Sequence, residues 1–153
     1  MRYCRLASVA LLAALAACGA GDTNAPPSLS LSGTWRQSGD LHDATTGDSH
    51  IHLGTFALQQ AADQFSGTGT QSGICNSTTS QYTGPLADPS EFAVTAGTLT
   101  DRLVTFKRDI CTYQGSFVEG KSNRITGTMT CAYTLNGVDY SFAGQWQADR
   151  IGN

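Results

Sequence analysis

Val138-Asp139-Tyr140-Ser141-Phe142-Ala143-Gly144-Gln145-Trp146 alternates with a period of two. Val138, Tyr140, Phe142 and Trp146 fall on one face, and Asp139, Ser141 and Gln145 on the other. That is the period of a β-strand, whose successive side chains point to opposite sides. Arg124 to Thr134 repeats the pattern: Ile125, Met129, Cys131 and Tyr133 share one face, while Thr126, Thr128, Thr130 and Thr134 share the opposite one. Asn136-Gly137 stands between the two runs. It is a strong hairpin signal, because a type I′ turn needs positive φ at both central residues.

Working outward from this hairpin, helix-period stretches are missing and further turn signals divide the chain. Ala61-Ala62-Asp63-Gln64, Asp101-Arg102, Arg108-Asp109 and Gly120-Lys121-Ser122-Asn123 are such signals. They predict eight strands, at about 33–40, 50–60, 65–74, 91–99, 103–108, 111–118, 124–134 and 138–149. Two longer loops remain, 41–49 and 76–90. Sequential antiparallel strands on short hairpins suit an all-β, eight-stranded up-and-down meander barrel, which has no exposed edges. A β-sandwich is the alternative.

Gly33-Thr34-Trp35 opens the first predicted strand, and Gly144-Gln145-Trp146 with Arg150 closes the last. This resembles the calycin pattern of lipocalins and avidins, in which a first-strand Gly-x-Trp packs against a basic residue of the final strand. The resemblance implies that Trp35 plugs one barrel end with Arg150 across its ring; otherwise Trp35 is an ordinary core aromatic. Gly33-Thr34-Trp35-Arg36-Gln37 and Phe65-Ser66-Gly67-Thr68-Gly69-Thr70 are also similar to avidin segments. Gln37 stands where that family has a biotin-contacting Asn, and Gly69 where it has a Tyr. The resemblance therefore carries the architecture and not biotin binding.

At the other end of the chain, Arg2 and Arg5 precede a short apolar run from Leu6 to Ala17. It has about a dozen residues where a membrane-spanning helix needs about twenty. Leu15-Ala16-Ala17-Cys18 resembles the lipobox of a bacterial lipoprotein signal. That resemblance implies removal of residues 1–17 and acylation of Cys18. Gly19, in place of Asp, points to the outer membrane of the cell envelope. The alternative is an ordinary secretory signal cut after Ala14-Leu15-Ala16 or nearby. Residues 18–32 read as a small, polar, Pro-containing tether, or as an ordered arm if Leu29 and Leu31 dock. Residues 33–153 make the barrel domain.

The whole chain has nine Lys and Arg against twelve Asp and Glu. Without Arg2 and Arg5, seven basic residues face twelve acidic ones, a formal charge of −5. That balance argues against nucleic acid, which requires basic patches. It leaves contact with the membrane to the N-terminal lipid. Beyond Cys4 in the signal and Cys18, the cysteines are Cys75, Cys111 and Cys131. Export favours disulfides. Cys111 and Cys131 fall opposite each other on neighbouring strands and are the expected pair. Cys75–Cys111 is the competitor, since both sit at the same barrel end.

No catalytic or cofactor motif is present, so the chain reads as a non-enzymatic binding module without a cofactor. The candidate ligand is small and apolar, held in the lumen by Phe56, Phe106, Tyr113, Phe117, Met129, Tyr140, Phe142 and Trp146. The same side chains could simply fill the barrel. Interaction with an envelope protein, as in inhibitors of lysozyme or protease, is a second class, and a purely structural lipoprotein a third. All three histidines lie in 42–52. His50 and His52, two apart in a strand, are weak candidates for Zn²⁺ or Cu²⁺ with a loop carboxylate; as residues of a loop edge they are expected to be solvated.

Overall fold

A computed structural model describes residues 28–76, 84–85, 90–135 and 137–153. The signal segment, Cys18 and most of the 76–90 loop lie outside the described residues. Among the described residues, nine strands follow one another: β1 Gly33–Asp43, β2 Ser49–Ala61, β3 Gln64–Asn76, β4 Gly84–Pro85, β5 Ser90–Thr100, β6 Leu103–Arg108, β7 Cys111–Phe117, β8 Arg124–Leu135 and β9 Val138–Gly152. All neighbouring pairs are antiparallel. The order β2-β1-β9-β8-β7-β6-β5-β3 closes on itself through β2 and β3. The result is an eight-stranded up-and-down barrel, and each barrel strand has a partner on both sides. The two-residue β4 hangs on β3 at Ile74 and Cys75. A Gly-Pro pair reads locally as a turn, so only the partner strand could reveal it.

The tight turns use left-handed backbone where two-residue connections demand it. Ala62, Asp101 and Asp109 have φ of 56°, 56° and 48°, and Gly137 has φ of 79°. Register shifts occur between Thr34 and Trp35, between Phe65 and Gly67, and between Thr95 and Thr98. Such bulges raise local twist and help a sheet curl into a barrel. Gly144 marks a close approach: any Cβ there would overlap the backbone carbonyl of Asp40 on β1.

Two expectations need correction. The loop at 41–49 is shorter, because β1 runs to Asp43 and β2 starts at Ser49. Leu41 and Asp43 still face inward, and the Asp43 carboxylate holds the turn by accepting from the Thr45 and Thr46 amides at 2.8 and 3.0 Å. In addition, the tether does not extend to residue 32. Leu31 is fully buried, and its amide donates to the Gln60 side chain at 2.6 Å. An apolar side chain beside an open barrel end gains more by docking than by remaining in solvent.

The ends of the barrel differ. The N-terminal segment and the turns at 62–63, 101–102 and 118–123 gather at one end, which Leu31 and Trp35 close. The turns at 44–48 and 109–110, with Gly137, gather at the other, here called the mouth.

Candidate ligand-binding site

At the closed end, Trp35 and Arg150 are partners across β1 and β9. The Arg150 guanidinium lies 4.6 Å from the centroid of the Trp35 ring. It also donates to the backbone carbonyls of Ser32, at 2.7 Å, and Ser30. The Trp35 indole donates to the Leu31 carbonyl at 2.8 Å. Burial lowers the Arg150 pKa from its ordinary value. These contacts tie the first strand, the last strand and the docked arm together.

Above this plug, the middle of the barrel is filled by rings. Phe106 and Tyr113 stack with centroids 4.5 Å apart, and Trp146 stands edge-on to both at 5.5 and 5.4 Å. Phe56 meets Phe92, Phe106 and Tyr113 edge-on, and Phe117 meets Trp35 the same way. Met129 is buried and reaches over Gly39. Of the expected lumen set, these residues pack chiefly on one another. Phe142 and Tyr140 lie higher, at the mouth. With Tyr133 they form a ladder of nearly parallel rings, 7–13° apart in plane and 5.1–6.4 Å apart in centroid.

Between the aromatic middle and the mouth lies a ring of polar side chains that periodicity alone does not single out. Gln37 (1% exposed), His52 (7%), Gln71 (5%) and Arg108 (8%) all point inward from β1, β2, β3 and β6. Gly54 lies between Gln37 and Gln71 in register, and His52 is flanked by Gly39 and Gly73. The Arg108 guanidinium sits 4.2 Å from the Phe92 ring centroid. It donates to the Gln71 side-chain oxygen and approaches the Tyr113 hydroxyl at 3.4 Å. Asp109 is the acid nearest to it, 3.8 Å away and 65% exposed at the turn, beyond hydrogen-bond reach.

Five buried side-chain nitrogen and oxygen atoms among the described residues lack any hydrogen-bond partner, and all five belong to this ring. They are both amide atoms of Gln37, both ring nitrogens of His52 and Nε of Arg108. Each such orphan costs about 1–3 kcal/mol. Gln71 lies close enough to His52 to favour its protonated form, but neither ring nitrogen finds it at hydrogen-bonding geometry. Burial dominates and lowers the His52 pKa, with Arg108 and His50 adding to the effect. His50 is likewise lowered by burial, against the pull of Asp48.

The histidines divide by strand parity. His42 faces out, 3.1 Å from the Asp40 carboxylate, with both side chains more than half exposed. His50 and His52 face in with ring centroids 6.0 Å apart, and His50 lies 4.5 Å from Phe142. His52 is thus buried, not solvated, because β2 begins before it and turns it to the lumen. Among the described residues, no three His, Cys, Asp or Glu side chains are grouped to hold a metal ion.

Cys111 and Cys131 are direct partners in the β7–β8 register, and their sulfurs are joined. The bond lies at the mouth end of both strands. Cys75 pairs in register with His50 on β3, and its side chain is outside the described part.

No family model and no curated protein match this chain. Among solved structures, it is similar to an S-type phycobiliprotein lyase, CPES, from Guillardia theta. The two share 10% identity with a TM-score of 0.45, over 80% of this chain and 89% of the lyase. It is also similar to EF1p2_mFAP2b, solved bound to DFHBI, at 11% identity and a TM-score of 0.42, over 79% of this chain and 94% of that one.

Proposed function

We propose that this chain is a lipid-anchored protein of the bacterial cell envelope that holds a small ligand in the polar ring at its barrel mouth, without catalysing a reaction on it. The observation that carries the binding function is the set of five orphaned polar atoms on Gln37, His52 and Arg108. A purely structural barrel gains by placing apolar side chains there, as it does one layer deeper. A binding barrel keeps polar groups unpaired until its ligand pairs them. The ring-filled middle leaves the mouth half of the lumen as the place for that ligand.

The anchor rests on Leu15-Ala16-Ala17-Cys18 and the basic residues before it. The arm that follows Cys18 enters the barrel at its closed end, through Leu31.

Full-length protein extracted from bacterial membranes in mild detergent tests both parts. Native mass spectrometry is expected to show a small-molecule adduct, or to gain one from a ligand library, and Gln37→Met should weaken it. A barrel that takes no small molecule refutes the binding function. Labelled palmitate should enter the wild type and not Cys18→Ala; equal labelling of the two refutes the anchor.

A further inference from the structure

Arg108 is a cation inside the barrel whose hydrogen-bond and ring partners are all neutral: the Gln71 side-chain oxygen, the Tyr113 hydroxyl and the Phe92 ring; the carboxylate near it is that of Asp109, 3.8 Å from Nε. Neither Asp43 nor Asp109 gives it a hydrogen bond. Asp43 is occupied by the amides of Thr45 and Thr46 in its own turn and of Ser141 on β9, and Asp109 is beyond hydrogen-bond distance and faces solvent. A buried guanidinium is retained at a cost unless an anion completes it. Its Nε–H, one of the five orphans, is a buried donor without a hydrogen bond, with the Asp109 carboxylate 3.8 Å away.

We propose that Arg108 anchors the carboxylate of a small organic acid bound in the polar ring. This rests on the ligand-binding function proposed above and names the chemical class of the ligand. The charge count favours a monoanion. Arg108 is the one cationic side chain among the buried residues described, and its neighbour Lys107 faces outward. A phosphate dianion would keep a net negative charge in a low-dielectric site. A carboxylate, being planar, also matches the fork of a guanidinium. His52, whose pKa burial lowers, offers a ring N–H, and the Gln37 amide offers a second donor at the next layer. The ladder of Tyr133, Tyr140 and Phe142 gives the body of a flat acid an apolar wall on the way in.

The test uses the full-length protein and matched pairs of probes. Benzoate, cinnamate, 2-naphthoate and indole-3-acetate are titrated calorimetrically against their primary amides, which keep shape and lose charge. At least one acid should bind about tenfold or more tightly than its amide. Arg108→Gln should remove that preference by weakening the acid and leaving the amide, whereas Asp109→Asn should retain it. In the wild type, the Arg108 Nε–H resonance should move on saturation with the acid and not with the amide, a readout that needs no variant to fold. Equal binding of acid and amide overturns the anchor while leaving a ligand-binding barrel. A preference that survives Arg108→Gln overturns it as well, as does inorganic phosphate competing as strongly as the acid. Binding of neither acid nor amide, with an unmoved Nε–H, means that ordered water alone fills the ring, and overturns the proposal.

Discussion

Gln37 occupies an inward position of β1 between Trp35 and Gly39, where an apolar side chain of the same length would satisfy every packing requirement. Its two amide atoms are buried and unpaired. Gln37→Met should therefore raise the unfolding free energy by about 1–3 kcal/mol while weakening ligand retention. Urea denaturation read beside native mass spectrometry checks both halves; a variant that loses stability would place Gln37 in a network of the folded chain. Ala62 offers a simpler test. It adopts φ of 56° at an exposed turn, a region that costs an L-residue about 1–2 kcal/mol. Ala62→Gly should stabilise the barrel by up to about 1 kcal/mol in the same assay, since part of the gain is offset by the freer unfolded chain. Neither prediction is available from sequence alone. Gln37 is legible as an inward position by parity, but whether its amide finds a partner depends on residues as distant in sequence as His52, Gln71 and Arg108.

The β6–β8 elements show how much pairing the sequence does carry. Counting two-fold alternation on either side of the 118–123 turn puts Cys111 opposite Cys131, and the register agrees residue for residue from Cys111 to Phe117. The bond closes a loop of 20 residues, which the chain-entropy account values at about 3 kcal/mol. Denaturation with and without reductant should reveal a loss of that order, and Cys111→Ala/Cys131→Ala should reproduce it in the absence of reductant. No change in midpoint would mean that the β7–β8 pairing holds unaided. The strand limits of β1 and β2 were less legible. His42 to Asp48 is rich in loop-forming residues, and only the Asp43 carboxylate, accepting three backbone amides, turns the stretch into a five-residue connection.

Over the whole molecule, the two inward histidines couple stability to pH. Burial holds both His50 and His52 below the ordinary value of 6.5. As pH falls through 6.5, the unfolded chain takes up protons that the folded barrel excludes, so the folded state loses stability. The loss continues down to the folded pKa values and then levels off; above 6.5 the full stability is present. At His50 the carboxylate of Asp48 opposes the shift. At His52, Gln71 opposes it while Arg108 and His50 reinforce it. Denaturation midpoints between about pH 5 and pH 8 should decline on acidification, and His50→Gln/His52→Gln should flatten that part of the decline; an unchanged slope would assign it to other groups. By itself, the sequence determined the all-β class, all eight barrel strands to within three residues and the Cys111–Cys131 register. These are properties of two-fold alternation and turn chemistry, which act over a few residues at a time. Only the tertiary structure decided that Leu31 plugs one end and that Gln37, His52 and Arg108 meet unpaired near the other. Which distant side chains share a layer depends on the curl and shear of the closed sheet, and no local pattern encodes that.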